Sequence, residues 1–322
     1  MGAGPRRVLV TGAAGFIGSH LVRRLLDSGD EVIAVDDLSN GSWDTLADAR
    51  GALRREEMDV LSPRFAGLVR EAAAAAIFHL AANSDIERGA ADPSADHQRT
   101  FLTTVQVLEA MCQSPTREIV FASSSAIYGE STAELAEDTG PLQPVSLYGA
   151  AKLAAEAYLS AYCHLHGFRA WVLRFPNVVG PNLTHGVIHD FLLRLRSNPE
   201  MLSVKGDGEQ RKPYLHVRDL IDAVFAAVRA GAPAGGPPST FNIAGAGETS
   251  VAEIAWLVCD AMAPPRARIE YGTQPRGWPG DVPRFRYDTT RIRSLGWVPT
   301  LDSTAAVAAT IAHEVARCRR SS

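Results

Sequence analysis

Lysine is scarce in this chain. Of its 32 Lys+Arg residues only Lys152, Lys205 and Lys212 are lysines, so each is expected where an ammonium rather than a guanidinium is needed. Cysteine is scarce as well. Cys112, Cys163, Cys259 and Cys318 lie far apart without a C-x-x-C pair, which excludes a disulfide framework and reads as reduced packing thiols. No His/Cys/Asp/Glu cluster has ligand spacing, so no metal is expected. No run of five basic residues occurs and the formal net charge is −4, which argues against nucleic acid or an anionic membrane as partner. No stretch approaches the roughly 18 apolar residues of a membrane helix. The first residues, Met1-Gly-Ala-Gly-Pro-Arg-Arg, pass into a strand-like run without the apolar core of a secretory signal. The expectation is a cytoplasmic globular protein. Its 322 residues, 46% hydrophobic and 21% charged, suffice for one large or two smaller domains.

What is present begins with an alternation. Arg7–Thr11, Glu31–Asp36, Arg54–Asp59, Ala75–Ala81, Glu118–Ala122 and Ala170–Arg174 read as strands. Phe16–Ser28, His97–Met111 and Leu147–His166 read as helices, with apolar Ile17, Leu21, Leu25 and Leu26 near helical spacing in the first. Such alternation predicts an α/β fold, a doubly wound parallel sheet of Rossmann type. After Arg174 proline and glycine multiply. Further helices are expected at Val187–Arg196, Arg218–Arg229, Val251–Met262 and Leu301–Arg317, with a strand at Thr240–Ile243. Residues 1–175 are thus expected to form a dinucleotide-binding domain. Residues 176–322 are expected to form mainly a smaller mixed α/β substrate domain, with 213–245 returning elements to the first.

Gly12-Ala-Ala-Gly15-Phe-Ile-Gly18 follows the first strand and opens the first helix. Gly12 permits the tight turn, Gly15 lets backbone approach a pyrophosphate, and Gly18 lets helix and sheet pack closely. The phosphates would then meet free N–H groups at a helix N-terminus. Asp36 ends the second strand about 20 residues on, where an acid takes the ribose hydroxyls. A carboxylate there repels a 2′-phosphate, so NAD is expected rather than NADP. Asp37 is either a second cofactor contact or a turn residue.

Downstream stand Ala122-Ser-Ser-Ser-Ala-Ile-Tyr128-Gly129, Tyr148-Gly-Ala-Ala-Lys152, Leu173-Arg-Phe-Pro-Asn177-Val-Val-Gly-Pro181 and Tyr214-Leu-His-Val-Arg-Asp219. In order and spacing, over nearly the whole chain, these resemble the extended short-chain dehydrogenase/reductases of the NAD-dependent epimerase/dehydratase family. Within it the UDP-glucose 4-epimerase group is most similar. The residues themselves agree. Tyr148 and Lys152 are i and i+4 on one helix and share a face. A phenol with a pKa of about 10 is a poor base, and a neighbouring ammonium, aided by a cationic nicotinamide, would stabilise its phenolate. The resemblance implies Tyr148, Lys152 and Ser124 as the catalytic set. Ser123 and Ser125 stay open for the serine role, because three serines run together.

The cofactor set expected is Gly12, Gly15, Phe16, Ile17, Gly18, Asp36, Asp37, Asp59, Val60, Leu80, Ala81, Ala82, Thr100, Tyr148 and Lys152. The substrate set is Ser124, Ser125, Tyr148, Asn177, Val187, Lys212 and Asp281, for a UDP-sugar. The resemblance further implies a 4-epimerase and a homodimer. Three positions depart from the family pattern. Trp278 replaces a diphosphate-binding arginine, with Arg276 and Arg284 nearby. Thr100 replaces an asparagine near the cofactor. Asn182 stands near where relatives acting on a uronic acid carry arginine, which favours a neutral sugar unless His185, Arg194 or Arg196 meets a carboxylate. The dehydratases of the family carry Thr-Asp-Glu where this chain has Ser124-Ser125-Ala126, which argues against dehydration. Decarboxylation, 4-keto reduction and a non-catalytic NAD sensor also compete as readings; the intact Tyr148 and Lys152 argue against the last.

Overall fold

The computed structural model describes residues 5–83, 89, 92–131, 133–262, 267–275, 282 and 286–320. Seven strands form one parallel sheet: β1 (Arg7–Thr11), β2 (Glu31–Asp36), β3 (Leu53–Glu57), β4 (Ala76–His79), β5 (Glu118–Ser124), β6 (Arg169–Phe175) and β7 (Ser239–Asn242). Their order is β7-β6-β5-β4-β1-β2-β3, so the expected doubly wound sheet is observed. Crossovers are made by α1 (Phe16–Asp27), α2 (Phe65–Ala72), α3 (Pro93–Asp96, His97–Leu102 and Thr103–Cys112 in series), α4 (Leu147–His166), and, before β7, α5 (Val187–Ser197) and α6 (Val217–Ala230).

Alternation along β1 shows how both faces are covered. Val8 and Val10 enter one apolar cluster with Leu21, Leu25, Leu220 and Val224 of α1 and α6. Leu9, one residue out of phase, enters another with Val69, Leu108 and Leu159 of α2, α3 and α4. The edge strand β3, LRREE, is largely exposed. Charge on an edge discourages pairing with other chains, and it also explains the weakness of that strand's signal.

Two local expectations are corrected. The sequence pattern shows no helix between the third and fourth strands, yet α2 lies there, short and with Gly67 in its first turn. α3 starts earlier than its apolar pattern, at Pro93, because Asp92 caps it by accepting from the Ser94 amide at 3.1 Å. Its His97–Leu102 stretch is a π-helix, a feature frequent at functional sites.

The C-terminal elements α7 (Val251–Met262) and α8 (Ser303–Arg320) share the α1/α6 side of the core through Ile254, Val258 and Val307. Short parallel pairs join Asn177–Val179 to Tyr214–His216 and Met201–Val204 to Arg268–Tyr271. Asp219, buried in the first turn of α6, ties this part down. Its carboxylate accepts from Thr300 Oγ1 at 2.7 Å and from the Leu301 amide at 3.3 Å, and its carbonyl from Trp297 Nε1 at 3.0 Å. No helix among the described residues is long and apolar enough to cross a membrane. Asp219→Ala removes a buried carboxylate that accepts two hydrogen bonds, so urea denaturation should show a loss of about 1–3 kcal/mol; unchanged stability would remove this tie.

Candidate active site

A cleft of about 350 Å³ opens at the C-terminal ends of the strands, where strand order reverses between β1 and β4 and where open α/β sheets bind ligands. Gly12 sits at φ +68°, and a Cβ on it would lie 2.8 Å from the Ala81 amide nitrogen. A Cβ on Gly18 would overlap the Gly12 carbonyl. Gly15 is the N-cap of α1 and supplies no capping side chain, so the first-turn N–H groups are left for an anion. Asp36 accepts from the Ala14 amide at 2.9 Å and the Leu38 amide at 2.8 Å. Burial raises its pKa, and those backbone donors partly offset this. An uncapped helix start, a glycine cradle and an acid at the ribose end together fit a dinucleotide. Asp37 makes the turn contact, accepting from the Ser39 amide at 3.0 Å, and also pairs with Arg99 at 3.4 Å.

The other end of the cleft is built from α4 and the tip of β5. Ser146 caps α4, accepting from the Gly149 amide at 3.1 Å, which starts the helix just before Tyr148. Lys152, 2% exposed, donates to the Ala122 carbonyl at 2.6 Å and lies 4.8 Å from the Phe121 ring centroid. Ser124 Oγ accepts from the Ala126 amide at 3.2 Å and shares a side-chain hydrogen bond with Tyr148. The Ala126 contact uses one acceptor lone pair of Ser124 Oγ and leaves its O–H to donate. Ser123 turns instead to Glu156, and Ser125 lies outside the cleft lining. Of the three serines, Ser124 is the one that meets the phenol.

Before any nicotinamide is added, the electrostatics differ from the expected lowering of the phenol. Burial pushes Tyr148 up to about 12, with Ser124 opposing and Asp96 adding to the rise. Burial also pushes Lys152 down to about 7, against Glu156 and Asp96. His79 below is pushed down to about 3, chiefly by burial, and is neutral. The protein's own groups therefore hold Tyr148 as a phenol, not a phenolate.

All the expected cofactor residues line the cleft except Thr100. Thr100 is fully buried and accepts from the Asn83 amide at 3.1 Å, so it supports the wall rather than forming it. Asn177, Val187, Ser124 and Tyr148 line the cleft; Lys212 does not, and its carbonyl faces Ser303 at 3.5 Å. Asp281, Trp278, Arg276 and Arg284 lie outside the described residues. Ser39, Asn40, Arg99 and Tyr214 also form the wall without having been expected there, and His185, raised only as a carboxylate partner, lines it too. The first two were signalled by the turn composition after Asp36. Among the described residues no group of three or more potential ligands could hold a metal.

Sheet order, glycine turn and the Tyr148–Lys152 face define an extended short-chain dehydrogenase/reductase. The chain belongs to the NAD dependent epimerase/dehydratase family, whose model matches residues 8–244, and its cofactor is NAD. It is 35% identical over 319 residues to a UDP-glucose 4-epimerase of Mycolicibacterium smegmatis, covering 95% of this chain and 97% of that one. It is 31% identical over 313 residues to a dTDP-glucose 4,6-dehydratase of Streptomyces griseus, covering 95% and 93%. The UDP-glucose 4-epimerase of Thermus thermophilus, solved in complex with NAD, superposes with a TM-score of 0.83 at 29% identity, covering 95% and 98%.

Gly18→Ala should yield a folded protein without bound NAD; normal NAD content would remove the cradle reading. A cation brought beside Tyr148 favours its phenolate. In a 295 nm titration, differenced against Tyr148→Phe, NAD-loaded protein should therefore ionise Tyr148 at lower pH than NAD-free protein, and coincident curves would contradict this.

Proposed function

We propose that the chain is a nucleotide-sugar 4-epimerase acting on a UDP-hexose. The observation that carries this reading is the distribution of acids in the cleft. Among its described lining residues the only carboxylates are Asp36, Asp37 and Asp59, and Asp36 and Asp37 lie at the ribose end. Beside Tyr148 and Ser124 stand hydroxyls, an ammonium and apolar wall. Removing water from a sugar needs an acid and a base at that point, in addition to the group that takes the hydroxyl proton. Ser125 and Ala126 occupy the segment where the family's dehydratases carry such a pair, and neither lines the cleft.

In this mechanism Tyr148, as phenolate, takes the proton from the sugar 4-hydroxyl. Ser124 donates to the same oxygen while charge develops there. Lys152 would hold the ribose of bound NAD and stabilise the phenolate. Bound NAD supplies the acceptance of hydride from C4 and its return. The ketone oxygen stays between Ser124 and Tyr148 as the sugar turns its other face, and Tyr148 gives the proton back, so C4 is inverted with no net oxidation. Asn177 and Val187 border the sugar's path. Arg194 turns away to the Ser203 carbonyl at 2.6 Å, which removes one candidate partner for a uronic-acid carboxylate, while His185 stays at the cleft wall. Exposed Tyr158 and Leu165 on α4, 47% and 76% accessible, support the expected homodimer.

Proton NMR of purified protein with UDP-glucose, UDP-galactose, UDP-N-acetylglucosamine and UDP-glucuronic acid, without reductant, tests the reading. The expected result is the C4 epimer of at least one sugar with no net NADH. A 4-keto-6-deoxy product or decarboxylation would overturn it. Tyr148→Phe should keep NAD while turnover falls by about 10²–10⁴-fold; near-normal turnover would take Tyr148 out of the mechanism.

A further inference from the structure

We propose that the buried Glu156–Arg174 ion pair is a positioning device that decides which serine at the tip of β5 faces Tyr148. The inference rests on the reaction proposed above. Glu156 lies one turn beyond Lys152 on α4, on the same face. Its side chain is 10% exposed and that of Arg174 6%. The contact is two-pronged: Arg174 Nη2 donates to Glu156 Oε2 at 2.8 Å and Arg174 Nε to Oε1 at 3.2 Å. Oε1 also accepts from the Ser123 hydroxyl. The remaining arm of Arg174 donates to the Tyr128 hydroxyl at 2.7 Å and to the Glu137 carbonyl at 2.9 Å. Tyr128 in turn donates to Asn242 Oδ1 of β7 at 2.7 Å. The pair thus gathers α4, the tips of β5, β6 and β7, and the segments after β5.

Successive side chains of a strand point to opposite faces, so a slip of one residue exchanges them. Holding Ser123 toward Glu156 sends Ser124 to the phenol. α4 is fixed to β5 at two consecutive positions: Lys152 on the Ala122 carbonyl and Glu156 on Ser123. A buried ion pair is a poor source of stability, because desolvation offsets the attraction. Its use here is geometric, choosing one register among three adjacent serines. The charged and titratable groups facing the site are Tyr148, Lys152 and Glu156 from α4, Asp96 from α3, neutral His79 from β4, Tyr128 after β5 and Arg174 from β6.

The test uses two variants that leave the net charge of the chain unchanged, Glu156→Leu/Arg174→Met and Ser123→Ala. An apolar pair in place of buried ions commonly keeps stability, and Ser123→Ala is a minimal change should the first not fold. Turnover is read with UDP-glucose. Separately, without any sugar, Tyr148 is titrated at 295 nm in NAD-loaded protein, each variant differenced against the same variant carrying Tyr148→Phe. Losing the Ser124 hydrogen bond should move Tyr148 ionisation to higher pH. Turnover should fall about 10–100-fold in the double variant with KM within about threefold. In a Ser124→Ala background, Ser123→Ala should add nothing, since it acts through Ser124. An unchanged Tyr148 titration in Ser123→Ala, or a full extra effect in the Ser124→Ala background, overturns the proposal. Should wild-type protein leave UDP-glucose unconverted, the epimerase reading is what suffers, and the titration alone decides the ion pair.

Discussion

A single buried ammonium organises the site. Lys152 has almost no contact with water, donates to the Ala122 carbonyl at 2.6 Å and lies over the Phe121 ring. Burying that charge is costly, and the cost shows in its depressed pKa. A carbonyl at the end of β5 and the carboxylates of Glu156 and Asp96 make it tolerable. The position suits lysine in a chain with three lysines: a compact, single-point donor fits a socket that a planar guanidinium would not. Because Lys152 grips β5, the first turn of α4 is held over the strand tip, and Tyr148 and Ser124 meet.

The sheet places this socket at one end of a cleft whose other end is acidic. The glycine turn after β1 and the Ala81–Ala82 wall after β4 flank the strand-order reversal. Asp36 secures the glycine loop by its Ala14 contact. From there the cleft runs past β4 and β5 to the tip of β6 at Phe175. The arrangement separates an end carrying Asp36 and Asp37, where negative charge selects against extra phosphate, from the end that holds Tyr148, Ser124 and Lys152, where the proposed proton acceptor would stay silent until positive charge arrives. On the proposed reading, a phenol pushed up to about 12 by its protein surroundings would have its chemistry gated by its partner rather than by bulk pH.

Much of this was legible where the signal is contiguous. The run from Arg7 to Asp36 announces strand, glycine turn, helix, strand and acid with no help from distant residues, and Tyr148 and Lys152 share a helical face by spacing alone. Legibility failed where tertiary contact decides. Ser124 was not separable from Ser123 and Ser125 by spacing, because the choice depends on Glu156 and Arg174, both far from Ser123 along the chain. Thr100 was expected at the cofactor but lies beneath the wall, since the π-helical stretch turns Arg99 and not Thr100 to the cleft. Lys212, expected near the substrate by a motif offset, sits on a short strand paired with Thr249–Ser250, outside the cleft lining. The edge strand β3 and the short α2 were faint for a shared reason: few apolar residues or few turns leave little periodicity to detect.

The proposed chemistry opens and recloses one carbon–hydrogen bond at C4 without exchanging its hydrogen with water. UDP-galactose carrying deuterium at C4, incubated with the enzyme in ordinary water and followed by proton and deuterium NMR, tests that most directly. The account predicts UDP-glucose that keeps the deuterium at C4. Deuterium washed into solvent, or delivered to C6 with loss of water, would contradict it.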